Sequence, residues 1–247
     1  MRKKLIFVMT LLFRVMIYGQ TPPGADILKL IDKNLVFDKA QTITTMIIHG
    51  RAGTRTVQSK NWIEGKDKAF VEYTDPAREK GKKMLKLGDQ LWNYIPEPTD
   101  RIITISGHLL RQSVMGSDLS YEDITENKKL VDMYSAKVTG SEKIIGRDCF
   151  VLELTAKVED LNYYSRKVWV DKERWLPLKE ERYAKGGKPL KRTEILEVFK
   201  VENRWYPKRI MYHDLLQTGD GTEYIIESIN THVTIPESQF TKAALKK

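Results

Sequence analysis

Leu85-Lys86-Leu87-Gly88-Asp89-Gln90-Leu91-Trp92-Asn93-Tyr94 decides the fold class. Leu85 and Leu87, then Trp92 and Tyr94, alternate with polar neighbours on either side of Gly88-Asp89. Glycine reaches positive φ at little cost, so the stretch reads as two short strands joined by a tight hairpin. The same pattern extends outward. Val71 and Tyr73 alternate around Glu72. Gly186-Gly187 separates Glu180 to Tyr183 from Leu190 to Thr193, Asp171 to Arg174 separates Val168 to Val170 from Trp175 to Leu178, and Asn203 follows the run Ile195 to Val201. From Gln41 onward the chain is antiparallel sheet, and its C-terminal half is a meander of long hairpins.

Two segments break the period of two. Ile27, Leu28, Ile31 and Leu35 fall at helical spacing, with Asp26 near the start and Lys33 near the end, which predicts a helix over Ala25 to Asp38. Between Ile105 and Tyr121, the stretch Gly107 to Asp118 places Leu110, Val114 and Met115 on one helical face and stops at Gly116, which predicts a short apolar helix over Leu109 to Met115. That helix is either a crossover that plugs the core or a movable lid over a cavity.

Bulk properties bound the function. A chain of 247 residues with 41% hydrophobic and 30% charged residues suits one globular domain. Arg2-Lys3-Lys4, the apolar run Leu5 to Ile17 and the exit at Gly19 have the layout of a secretory signal peptide, predicting export, removal of residues 1–20 and a mature domain over 21–247. The net charge of +9 falls to about +5 without that segment, enough for transient contact with an anionic membrane surface but without the concentrated stripe of a nucleic-acid footprint. Cys149 is the sole cysteine, and its place at the head of Cys149-Phe150-Val151-Leu152 predicts burial.

Catalytic constellations do not emerge. His49, His108, His213 and His232 form no metal-binding pair, and no nucleophile elbow or phosphate loop is present, so neither enzyme, metal site nor cofactor is expected. Asp118, Glu122 and Asp123 suit a network in which Ser and Asp side chains satisfy loop amides better than a calcium loop. A sheet with large apolar side chains needs a cover, and two short helices supply little. A concave sheet so capped encloses an apolar cavity able to hold acyl chains, with Val71, Tyr73, Leu85, Leu87, Trp92 and Tyr94 assigned to its floor and Leu109, Leu110, Val114 and Met115 to its cover.

These residues carry a family resemblance. Tyr73-Thr74-Asp75-Pro76, Leu87 to Pro96, Met115-Gly116-Ser117-Asp118-Leu119-Ser120-Tyr121-Glu122-Asp123, Gly146 to Leu154 and Val168 to Pro177, in that order, resemble the LolA-like outer-membrane lipoprotein-sorting proteins over nearly the whole mature chain. The resemblance implies an open, strongly curved antiparallel half-barrel whose concave apolar face is capped by helices. It also implies a periplasmic monomer that receives lipoprotein or lipid acyl chains from an inner-membrane donor transporter and delivers them to an outer-membrane acceptor. In such carriers an arginine on an early strand holds the lid, and Arg51 and Arg55 are the candidates. A lipid-sensing or scaffold module acting through a protein partner is the competing reading.

Overall fold

The computed structural model describes residues 21–51, 53–126, 128–159 and 161–247, so the expected export segment lies outside the described residues. Helix α1 spans Gly24–Leu35, three residues shorter at its C-terminal end than the periodicity predicts, because Val36 is extended and Phe37 turns in to pack on Ala40 and Val201. Its Ile27, Leu28 and Ile31 are buried against Leu152, Leu154, Val168 and Val170. Gly24 permits that approach: a Cβ there would lie 2.4 Å from the Ala136 carbonyl oxygen.

Thirteen strands follow: β1 Lys39–Gly50, β2 Gly53–Glu64, β3 Lys68–Asp75, β4 Lys83–Leu87, β5 Gln90–Ile95, β6 Arg101–Ile105, β7 Tyr134–Ile144, β8 Arg147–Ala156, β9 Ser165–Asp171, β10 Pro177–Tyr183, β11 Pro189–Val201, β12 Arg204–Asp214 and β13 Gly221–Asn230. They form one antiparallel sheet in the order β6-β5-β4-β3-β2-β1-β13-β12-β11-β10-β9-β8-β7. Two meanders are thus joined by the β1–β13 ladder, and the sheet is open and curved, with β6 and β7 as its edges. The predicted hairpins at Gly88-Asp89, Gly186-Gly187, Asp171 to Arg174 and Asn203 all stand between paired strands.

This topology makes the connection from β6 to β7 unusual, since it must travel from one edge of the sheet to the other. It does so across one face, here called the inner face, through the 3-10 turns Gly107–Arg111 and Val114–Gly116 and the short helices α2 Tyr121–Thr125 and α3 Leu130–Met133. The predicted helix over Leu109 to Met115 is therefore corrected to two 3-10 turns, with Met115 itself at φ 53. A segment so short cannot repay helix nucleation, and tertiary contacts set its path instead.

The outer face of β3–β5 is also covered. After β13 the chain returns as two 3-10 turns, Glu237–Phe240 and Lys242–Lys246, whose Phe240 and Leu245 pack with Ile235 on Phe70, Leu85 and Trp92. Leu87 and Tyr94 join this cluster. Hence the assignment of Leu85, Leu87, Trp92 and Tyr94 to the same face as Val71 and Tyr73 is corrected. In the register, Val71 stands opposite Met84 whereas Leu85 stands opposite Phe70 and Trp92, which puts Met84 and Leu91 on the inner face.

Candidate functional site

The space between the inner face and the crossover holds two adjoining cavities of about 300 Å³ each, both bordered by Ile63. The first lies under the crossover. Met46, Val57, Val71, Tyr73 and Met84 form its floor, Tyr212 and Tyr224 one wall, and Val114, Leu119 and Ile124 its cover. The second lies beside α1, among Ile31, Leu35, Ala40, Leu130, Val168 and Ile229. Of the residues expected from sequence, the structure brings Val71, Tyr73 and Val114 to the first cavity. Leu109 and Leu110 pack on Met84, Leu91 and Ile105, and Met115 packs on Met46, Ile48 and Val57. Tyr94 reaches from its outer-face cluster to a side pocket shared with Tyr73, Leu109 and Met115.

The cavity floor is less apolar than the alternation pattern predicts. Thr42, Thr44, Ser59 and Asn61 are buried side by side on β1 and β2. Asn61 Nδ2 donates to Thr42 Oγ1 at 3.0 Å and to Thr44 Oγ1 at 3.1 Å, and Thr44 and Ser59 share a hydroxyl hydrogen bond of 2.8 Å. Pairing of this kind removes most of the cost of burying such groups. The signal was present in Thr42-x-Thr44 facing Ser59-x-Asn61, but it becomes meaningful only once the β1–β2 register is known.

Beyond this belt, the inner face of β9–β11 carries a chain of charges. Arg166 Nη1 donates to Glu180 Oε1 at 2.9 Å, and Arg182 Nη2 donates to Glu180 Oε2 at 3.0 Å. Both arginines also reach carboxylates of the crossover segment. Arg166 binds Glu126, and Arg182 Nη1 donates to Asp123 Oδ1 at 2.8 Å. Burial alone would raise the Glu180 carboxyl, but Arg182 and Arg166 hold it down to about 2. The same contest, won by Arg182 and Lys191, keeps Asp123 below the usual carboxylate range. Sequence reasoning missed this cluster, because its members come from β9, β10 and the crossover, far apart in the chain, and each looks like an ordinary surface charge.

The Gly116 to Asp123 motif explains how the crossover is held. Ser120 caps α2 in a reciprocal box with Asp123, and the Ser117 hydroxyl accepts from the Leu119 amide, as the predicted cap-and-turn network requires. Asp118 fastens the segment to β12 and β13: its Oδ2 accepts from Thr222 Oγ1 at 2.7 Å, and its Oδ1 from the Asp214 amide at 2.8 Å. Lys191 Nζ, 2.6 Å from the Asp118 carbonyl, ties it to β11. Toward the other half of the sheet the contacts are mainly apolar, supplemented by Asn93 with Tyr121 and by the Arg55 guanidinium on the Met115 carbonyl. Of the two candidate arginines, Arg55 on β2 is the one that reaches the crossover. Gly116, at φ 70, leaves room for it, since a Cβ there would lie 3.0 Å from the guanidinium.

An open antiparallel sheet wrapped around an interior cavity, with one crossover strapped over it, defines the class: a LolA-like half-barrel. A family model described as an uncharacterized protein matches residues 65–247, and the chain belongs to that family. Its structure is similar to a DUF1329 family protein from Desulfovibrio piger, with 25% identity over 91% of this chain and 100% of that one and a TM-score of 0.81. A domain from Vibrio parahaemolyticus described as a putative outer membrane lipoprotein-sorting protein shares 23% identity, covering 91% and 98% of the two chains at a TM-score of 0.80. A LolA superfamily protein from Nitrosomonas europaea shares 22%, covering 91% and 100% at 0.73. No curated protein matches in sequence.

Proposed function

We propose that this protein is a periplasmic carrier that holds the acyl chains of a lipoprotein or lipid between the sheet and the crossover, taking them from an inner-membrane donor and passing them toward the outer membrane. The observation that carries the reading is the asymmetric attachment of the crossover: charged and buried polar bonds to β9–β13, largely apolar contacts over β1–β5. Each buried apolar side chain there contributes roughly 1.5–3 kcal/mol, and an acyl chain supplies equivalent contact, so exchange is close to neutral on that side. The charge pairs have no such substitute. Cargo therefore wedges between the crossover and the N-terminal half while the crossover stays fastened to the C-terminal half, opening the first cavity toward the second. The similarity to a lipoprotein-sorting domain supports this reading, and among the described residues no helix is long and apolar enough to cross a membrane.

The test is uptake of a fluorescent acyl probe, with native mass spectrometry of protein isolated from its own periplasm to identify the cargo. Val71→Glu puts a carboxylate on the cavity floor and is expected to lower probe affinity at least about tenfold, since an unpaired buried charge costs several kcal/mol. Trp92→Ala, on the outer face, is expected to lower stability and leave affinity unchanged. A folded Val71→Glu variant with wild-type affinity would overturn the reading.

A further inference from the structure

Seven large hydrophobic side chains are exposed among the described residues, and only Leu215 and Leu216, at 36% and 56% exposure, are adjacent in sequence. Scattered single residues need no explanation, but an adjacent leucine pair in an exposed loop does. The loop between β12 and β13 displays the pair on purpose-built geometry: Asp214 Oδ1 accepts from the Leu216 amide at 3.0 Å, and the Leu215 amide donates to the Leu190 carbonyl at 2.9 Å. On its other side the Asp220 amide donates to the His49 carbonyl at 3.2 Å. The leucines thus stand between the β1–β2 turn, which carries Arg51, and the β10–β11 turn, which carries Lys185 and Lys188. All three cations are exposed, and Asp220 is the one exposed acid in these three loops. The remaining carboxylate, Asp214, is engaged by Lys191 Nζ at 2.9 Å.

We propose that this tip docks on an anionic phospholipid surface, with Leu215 and Leu216 entering the bilayer interface and Arg51, Lys185 and Lys188 meeting the headgroups. Apolar side chains ringed by basic ones suit that partner, because each contribution is weak alone and the two together give reversible binding. The placement also serves the site. The Asp214 amide at the root of the loop holds Asp118, the residue that fastens the crossover, so the docked tip adjoins the cover of the cavity. This role rests on the carrier reading, but its measurement does not.

The experiment places an environment-sensitive dye at Leu216→Cys in the full chain and adds phosphatidylethanolamine vesicles with or without phosphatidylglycerol. Cys149 is fully buried, so the introduced thiol is the reactive one. The same dye at Ile145→Cys, on the exposed β7–β8 turn at the opposite end of the strands, is the reference, and every variant shares residues 1–20. The expected result is a blue shift at Leu216 alone that requires phosphatidylglycerol. It should weaken about fivefold for each of Lys185→Gln and Lys188→Gln. In unlabelled protein, Leu215→Ser with Leu216→Ser should lower vesicle binding by about tenfold. An unchanged Leu216 emission, an equal shift at Ile145, or equal response to vesicles lacking phosphatidylglycerol would each overturn the proposal. Docking that fails while the acyl probe still binds refutes this inference alone; docking that persists without probe binding refutes only the carrier reading.

Discussion

Glu180 shows how a single side chain joins stability to the site. It accepts from both Arg166 and Arg182, and those arginines carry the bonds to Glu126 and Asp123 in the crossover. Its carboxyl is held down to about 2 in the folded protein against about 4.3 in an unfolded chain. The stabilisation is therefore complete above the unfolded value and is lost as pH falls from there through the folded one. Glu180→Gln is expected to lower stability at neutral pH by about 3–5 kcal/mol, because the buried Arg166 and the partly buried Arg182 lose their shared partner. Urea unfolding followed from pH 7 to pH 2 checks both effects, and the variant should show the shallower decline in the acid range. A profile parallel to wild type would remove Glu180 from the network. Cys149, by contrast, is fully buried, and burial, with Asp171 adding to it, pushes its thiol up to about 11, so it packs as an inert hydrophobe.

At the scale of elements, the C-terminal segment and the crossover cover opposite faces of the same strands and do different work. Phe240 and Leu245 fill the outer cluster with Phe70, Leu85 and Trp92, and Lys246 closes the segment on Asp100 at 2.8 Å. Phe240→Ala and Leu245→Ala are each expected to cost about 2–5 kcal/mol of stability, the range for truncating a buried side chain, with acyl-probe affinity unchanged. Calorimetry and probe titration on the same samples separate the two. Loss of affinity at native stability would mean that the outer face belongs to the site. The crossover needs no regular helix for its role. Its 3-10 turns are placed by Asp118, Asp123 and Arg55, and in the proposed carrier role the apolar residues between those anchors are the ones a cargo would displace.

For the molecule as a whole, the pairing of β1 with β13 joins two meanders, and the crossover spans both. If cargo wedges against the N-terminal half, tethers on the two sides must differ. A disulfide between Leu110→Cys and Leu91→Cys, two positions of one apolar cluster, is expected to block uptake when oxidised and restore it on reduction, with Cys149→Ala preventing mispairing. A disulfide between Asp118→Cys and Thr222→Cys, whose side chains already meet at 2.7 Å, is expected to leave the oxidised uptake rate unchanged. Stopped-flow probe loading with each crosslink confirmed by mass reads the contrast. The reverse pattern would mean that the crossover opens from β12 and β13 instead.

The strand pattern, the tight turns, the N-terminal helix and the buried cysteine were legible in the sequence, because alternation, glycine turns and helical spacing act between residues a few positions apart. The same local rules paired Val71 with Tyr73 and Leu85 with Leu87, since side chains two apart share a face. They could not say that the two pairs face opposite ways. That depends on the β3–β4 register across a seven-residue connection, and the usual clue of one apolar and one polar face was erased. Both faces of β3–β5 are covered, the inner by the crossover and the outer by Ile235, Phe240 and Leu245, far along the chain. The charge chain from Arg166 to Asp123 was hidden for the same reason: burial converts ordinary surface residues into a cluster only when β9, β10 and the crossover meet. Short-range periodicity determined which elements form; long-range pairing and coverage decided which of their faces became the site.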